Sequence, residues 1–153
     1  MCSSDLAISV DGEPVDLAQR FYYRNCMFSN VPNLALVFGY INASWTLRVD
    51  IIANFVTRLL NHMDATGARI VTPVMPDGAE IEPESLFEGF SSGYLARGKH
   101  LVPRNAASLP WRLNQDYVQD RKDMRSAPIE DGVLKFHKPH AVGRSEEVLE
   151  AAE

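Results

Sequence analysis

The sequence predicts an α/β fold, and three observations predict it. Leu34-Ala35-Leu36-Val37-Phe38 is continuously apolar and stops at Gly39. A long helical pattern follows, with Trp45, Val49, Ile52, Val56, Leu59 and Met63 at spacings of three and four. Between the two lies the short loop Tyr40-Ile41-Asn42. A strand with one wet face alternates in polarity; a continuously apolar one is buried on both faces, as in a parallel sheet covered by helices. The unit therefore reads as buried strand, tight turn and covering helix.

Other elements follow in chain order. Leu6 to Val10 is apolar-rich, Asp11-Gly12-Glu13-Pro14 is a turn signal, and Val15 to Tyr23 reads as a returning strand, which together predict a hairpin. Ser29-Asn30-Val31-Pro32-Asn33 breaks the chain before the buried strand. The helix is expected from Ala43 to Met63, with Leu47, Ile51 and Phe55 widening its apolar arc and Asp50, Asn54, Thr57 and Asn61 forming a narrow polar strip. Asn42 or Ser44 suits its N-cap and Gly67 its stop. Ile70 to Met75 reads as a short extended segment, 76–83 as an acidic loop and Tyr94 to Val102 as extended. Pro110, preceded by Ser108 or Leu109, suits the first turn of a second helix from Trp111 to Arg125, with Leu113, Tyr117, Val118 and Met124 on its apolar side. Residues 143–153 read as a frayed acidic tail.

Composition narrows the function classes. The chain has 153 residues, 46% hydrophobic and 23% charged, enough for one modest core. A net charge of -5 argues against a nucleic-acid partner or an anionic membrane surface. Cys2 and Cys26 read as free thiols. No segment resembles a signal peptide or a membrane span, and a cytoplasmic location is expected. His137 and His140 lack companions for a metal, so no metal site is expected. Asp77, Glu80, Glu82, Glu84 and Glu88 read as a solvated acidic run.

The candidate site is the turn itself. A helix N-terminus offers unpaired amide hydrogens and about half a positive charge to any anion placed against it. In α/β sheets that end lies where ligands bind. No GxGxxG, Walker or GxSxG motif occurs, and no nucleophile–base constellation, so the catalytic residues are unknown and expected outside this chain.

Ser29-Asn30-Val31-Pro32-Asn33-Leu34, followed by Phe38-Gly39-Tyr40-Ile41-Asn42-Ala43-Ser44-Trp45-Thr46-Leu47, resembles the C-terminal FAD-domain segment of class B flavin monooxygenases. The resemblance is to the Baeyer–Villiger branch of the ethionamide-activating type. It continues through Arg58-Leu59-Leu60-Asn61-His62-Met63-Asp64 and returns at Pro110-Trp111-Arg112-Leu113-Asn114-Gln115-Asp116-Tyr117. Val10 to Leu17 also fits, so the match runs to about Val142 with gaps. The resemblance implies the C-terminal portion, roughly the last third, of a flavoprotein fold with two dinucleotide-binding domains. On that basis 1–68 is a piece of the FAD-binding domain, 69–143 an extension packing on an absent body, and 144–153 a disordered tail.

The same resemblance implies the cofactors FAD and NADPH, each needing segments this chain does not carry. A separate chain could bring those domains. The implied reaction is Baeyer–Villiger oxidation of a ketone or oxygenation of a sulfide or thioamide sulfur, with the chain inactive alone. Gly39, Asn42, Ala43, Ser44 and Trp45 are the implied cofactor contacts, and Tyr40 and Trp45 the implied substrate contacts. Tyr40 and Trp45 also fit plain core aromatics. Arg112, Asn114 and Gln115 read as anchors of the C-terminal segment. The rival class is a non-enzymatic remnant or small interaction module.

Overall fold

The computed structural model describes residues 7–76, 83–84 and 102–138. The expectations over 76–83, 94–102 and 143–153 fall almost wholly outside that range, as do Cys2 and His140. The described chain is built on one helix, with short antiparallel ladders and a second helix around it. Strands β1 (Ser9–Val10) and β2 (Glu13–Pro14) form a hairpin, a one-turn 3-10 helix spans Leu17–Gln19, and β3 (Tyr22–Tyr23) pairs with β4 (Met27–Phe28). Helix α1 (Trp45–Thr66) follows, then β5 (Ile70–Pro73), β6 (Pro83–Glu84), β7 (Asn105–Ala106), α2 (Tyr117–Ser126) and β8 (Leu134–His137). β5 pairs with β8 and β6 with β7, all antiparallel.

The hairpin turns where the Asp-Gly dipeptide predicts. Asp11 and Gly12 both take the left-handed conformation, at φ 53° and 86°. The returning strand is Glu13–Pro14, inside the expected turn, and not Val15 to Tyr23, because Asp16 accepts the Ala18 amide at 2.9 Å and starts a 3-10 turn. Helix α1 stops as its sequence predicts. Gly67 sits at φ 71°; its amide reaches the Asp64 carbonyl, and the Ala68 amide reaches the Met63 carbonyl at 2.9 Å.

Three expectations are corrected. The segment Leu34–Phe38 belongs to no ladder, and no parallel sheet occurs among the described residues. Its Leu36 amide donates to the Cys26 carbonyl at 2.8 Å, but Leu36 and Val37 are 45% and 38% exposed. Leu34 and Phe38 pack on Tyr22, Phe28, Val31 and Leu113. Continuous apolarity asks for cover on both faces, and among the described residues one face has it. The second correction concerns the helix expected from Trp111. It begins at Tyr117, where the Asp116 carboxylate accepts the Val118 and Gln119 amides at 2.9 and 3.0 Å. Over 111–113 burial alternates: Trp111 and Leu113 are buried and Arg112 is exposed, the period of an extended segment. Val118, expected on the apolar side of that helix, is 73% exposed. The third correction is to the apolar arc of α1. Its buried residues are Arg48, Ile51, Ile52, Phe55, Leu59 and Met63, whereas Trp45 and Val49 are 57% and 45% exposed.

The main core joins α1 to β3, β4, β5, α2 and β8. Tyr23, Met27, Phe55, Leu59, Val71, Trp111, Met124 and Leu134 belong to one buried cluster, so apolar packing runs straight across Ala68. Asn30 and Asn33, at φ 57° and 54°, stitch the preceding break to β5: the Asn30 amide donates to the Pro73 carbonyl at 2.7 Å, and the Asn33 side chain accepts the Val71 amide at 2.9 Å. Arg58 of α1 closes the end of α2, donating to the carbonyls of Met124, Arg125 and Ala127 at 3.0, 3.1 and 2.5 Å.

A polar clasp holds the approach to β8. The Tyr23 hydroxyl and Arg24 guanidinium donate to Asp131 at 2.7 and 3.0 Å, and the amides of Val133 and Leu134 donate to its other oxygen at 3.0 and 3.1 Å. Burial pushes the Asp131 carboxyl up, but these donors outweigh it and hold it below the usual aspartate range.

Two outcomes follow from this packing. Asp131 in the folded chain has a lower pKa than the unfolded value of about 3.9. Its contribution is therefore complete above that value and disappears as pH falls through the lower, folded one. The Tm difference between the wild type and Asp131→Asn should be constant above about pH 5 and shrink in acid, as thermal melts across pH would read. The exposed apolar residues Leu36, Val37, Trp45 and Val49 should bind a hydrophobic dye on the isolated chain; a sharp monomeric melt without dye binding would contradict this.

Candidate functional site

The turn between the apolar segment and α1 is fixed from beneath by a buried ionic cluster. Arg48, in the first turns of α1, is fully buried, and Asp120 of α2 is 1% exposed. The Arg48 Nε lies 3.3 Å from the Asp120 carboxylate, close enough for an ion pair but not aligned as a hydrogen bond. Its other nitrogens donate to the carbonyls of Phe38, at 3.2 Å, and Asn114. The guanidinium carbon sits 3.8 Å from the centre of the Tyr40 ring.

The Tyr40 hydroxyl and the Asn25 side-chain amide both donate to Asp120. Asn25 holds φ 61° in the turn between β3 and β4, and its side-chain oxygen accepts the Asn114 amide at 3.0 Å. Burial pushes the Asp120 carboxyl up; Tyr40 and Arg48 pull it back without cancelling the effect. Burial likewise raises the Tyr40 hydroxyl, with Asp120 adding to it.

Above this cluster the predicted site residues take distinct places. Gly39 is buried, and a Cβ there would overlap the Trp45 indole. The room that the glycine leaves is therefore filled by Trp45. That indole packs on Phe38 at 5.9 Å between ring centres and is otherwise open. Tyr40 points into the ionic cluster, with Tyr117 edge-on at 6.1 Å. Ser44 occupies the N-cap position but makes no cap bond; its hydroxyl meets that of Thr46 at 2.8 Å. Asn42 is exposed and caps nothing. The α1 N-terminus thus keeps amide donors that no side chain caps.

Asn42 and Ala43 border an open groove of about 530 Å³ whose other walls are Arg112, Asn114, Gln115, Asp116 and Tyr117. Gln115 fixes the lip. Its oxygen accepts the Ile41 amide at 2.9 Å, which orients its nitrogen away from that bond, and the nitrogen is buried without a partner. The groove so joins the turn to the second stretch singled out from the sequence. A separate cleft of about 420 Å³ runs beside Leu34, Ala35, Val56, Leu59, Leu60 and Met63 and is mostly apolar. No group of His, Cys, Asp or Glu among the described residues is arranged to hold a metal. No helix among them is long and apolar enough to cross a membrane.

Arg48, Asp120 and Asn25 were not anticipated. One signal was present: Arg48 interrupts the face Arg48, Ile51, Ile52, Phe55, Leu59 with a charge, which a soluble helix buries only when it is partnered. Nothing local marks Asp120 as that partner.

Comparison with known proteins decides the relationship. The chain is 43% identical over 130 residues to the probable FAD-binding monooxygenase AlmA of Acinetobacter sp., 85% of this chain and 26% of that protein. It is 40% identical over 136 residues to the FAD-containing monooxygenase EthA of Mycobacterium tuberculosis, 88% of this chain and 27% of EthA. The putative FAD-containing monooxygenase MymA of the same organism is 37% identical over 131 residues, 86% of this chain and 26% of MymA. The chain is related to the FAD-containing monooxygenases. The relationship bears out the flavin-monooxygenase resemblance of Ser29–Leu47 and Pro110–Tyr117. The matched residues span about a quarter of the length of these relatives. No protein-family profile and no solved structure matches it.

The cluster sets a stability expectation. Removing one partner of a buried ion pair typically costs about 3–5 kcal/mol, because the other charge is left uncompensated. Asp120→Ala should therefore lower unfolding free energy by an amount of that order, and Asp120→Asn by less, as denaturant melts would show.

Proposed function

We propose that the chain is the C-terminal part of an NADPH-dependent flavin monooxygenase of the Baeyer–Villiger type, and that its turn Gly39–Trp45 meets the pyrimidine edge of FAD. The observation that supports this is the groove bordered by Asn42 and Ala43, just before the uncapped start of α1, and walled by Gln115, whose side-chain nitrogen is buried without a partner. The residues fit the group: a flavin presents acceptors along N1, C2 carbonyl and N3 that amide donors match, and its reduced form carries negative charge at that edge. When bound, FAD takes reducing equivalents from NADPH and delivers oxygen to a ketone or a sulfur atom.

This chain's own contribution is binding and electrostatics. The α1 amides and Gln115 hold the pyrimidine edge, and the helix dipole favours its charged form. Asn42 and Ala43 shape the groove mouth, and Ser44 sits at the helix start without consuming an amide. Trp45 and Tyr40 take supporting roles here: Trp45 covers Gly39, and Tyr40 braces the turn from below. The exposed row Leu36, Val37 and Val49 receives the remaining flavoprotein body, in the same polypeptide or a separate chain. Leu34–Phe38 is then covered on its second face, as its apolar sequence asks.

The test uses FAD titration. The isolated chain should bind no FAD tightly and oxidise no NADPH. In a complete enzyme carrying the segment, Gln115→Leu should weaken FAD about tenfold, the effect of a buried hydrogen bond of roughly 1.4 kcal/mol. Gly39→Val should displace Trp45 and slow flavin reduction. If both variants leave FAD affinity and reduction unchanged, the turn does not meet the flavin.

A further inference from the structure

The ionic cluster is larger than holding two helices together requires. Arg58 already ties α1 to the end of α2 through three carbonyls. The Arg48 cluster lies at the other end of α1, and its bonds go to the turn. Arg48 grips the carbonyl of Phe38, just before Gly39. Asp120 takes the hydroxyl of Tyr40, just after it. The Tyr40 ring is pressed against the guanidinium face, so the residue is fixed both at its plane and at its tip. Asn114 is held from two sides, by Arg48 at its carbonyl and by Asn25 at its amide, and the next residue, Gln115, accepts the Ile41 amide. Each bond of the turn residues Phe38 to Ile41 thus leads within one or two steps to Asp120 or Arg48.

We infer that Asp120 and Arg48 are positioning residues: they hold the turn Phe38–Ser44, and with it the α1 N-terminus and the Gln115 amide, in one geometry at the groove. The purpose rests on the flavin reading above, whereas the positioning itself is read without flavin. The chemistry favours this role. Arg offers a planar fork that can meet two carbonyls and a carboxylate at fixed angles while its face receives a ring; a lysine ammonium offers a point charge and cannot. Asp120 accepts from Tyr40 and Asn25 and pairs with the Arg48 charge, so it joins three separate stretches of chain at one group. The site's geometry is accordingly set in part from the C-terminal segment, by Asp120 with Asn114 and Gln115, far from the turn in sequence.

Hydrogen exchange read by mass spectrometry or NMR tests this on the chain, or on a longer polypeptide that carries it. Tyr40→Phe removes a single link and keeps the charge pair. It should speed exchange at the Ile41 amide and over Val49–Ala53 about tenfold, leaving Phe55–Met63 unchanged. Arg48→Lys keeps the charge and loses the fork; it should show the same local pattern rather than rescue it. A cluster that is merely structural would accelerate all α1 amides by one common factor matching the fall in global stability. That uniform result, or no change at Ile41 in Tyr40→Phe, would overturn the proposal. Failure of the flavin reading shows elsewhere, as unaltered FAD affinity in Gln115→Leu with the exchange pattern intact.

Discussion

The ion pair of Arg48 and Asp120 is the constraint on which the turn and both helices depend. Taking either ion out of water costs several kcal/mol, and their mutual attraction offsets this only when the remaining donors and acceptors are also met. Here most of them are met: two carbonyls, a tyrosine hydroxyl, an asparagine amide and an aromatic face surround the pair, and only the Arg48 Nε lacks an aligned hydrogen bond. Such a cluster tolerates little displacement, since moving any member leaves a buried charge short of a partner. The apolar core beneath, from Ile51 to Met63 against Val71, Met124 and Leu134, would accept small shifts more readily. Packing gives the fold its mass, and the ionic cluster gives one end of it a fixed geometry.

What could be read from the sequence was what is local. Helix α1 and its stop at Gly67 were legible because periodicity and a left-handed cap act over a few residues. The Asp11-Gly12 turn was legible for the same reason. Leu34–Phe38 was legible as a segment that wants to be buried, but not as a strand. The ladder partner that would make it one does not occur among the described residues. Pro110 pointed to a helix start six residues too early, because Asp116 caps the real one and the core pulls Trp111 and Leu113 into an extended run. β8 carried no signal of its own, since Leu134–His137 becomes a strand only by pairing with β5 from far upstream.

The site divides along the same line. Its turn was legible from Gly39 and the helix that follows, and its partner stretch Pro110–Tyr117 from resemblance. The bonds that join them were not. Gln115 to Ile41, Asn114 to Arg48 and Asp120 to Tyr40 are long-range side-chain contacts for which one sequence offers no pattern. Arg48 was the exception that could have been caught. A charge in the middle of a buried helical face predicts a buried counter-charge, although not its address.

Gly39 shows how a glycine can serve a different contact from the one its place in the sequence suggests. A glycine at the end of an apolar segment suggests a backbone laid bare for a ligand. In the folded chain the bare face is closed by the Trp45 indole, which any Cβ at this position would strike. The glycine therefore serves a contact between the turn and the first residue of α1. It brings Phe38 and Trp45 together and leaves the groove side, with Asn42, Ala43 and Gln115, as the open approach. In the flavin reading proposed above, a planar ligand edge would arrive from that side, where Gln115 walls the groove. On that reading the donors, and not the aromatics, would meet the ligand. Trp45 and Tyr40 are both engaged with the protein itself, one covering the turn and the other bracing it from the ionic cluster.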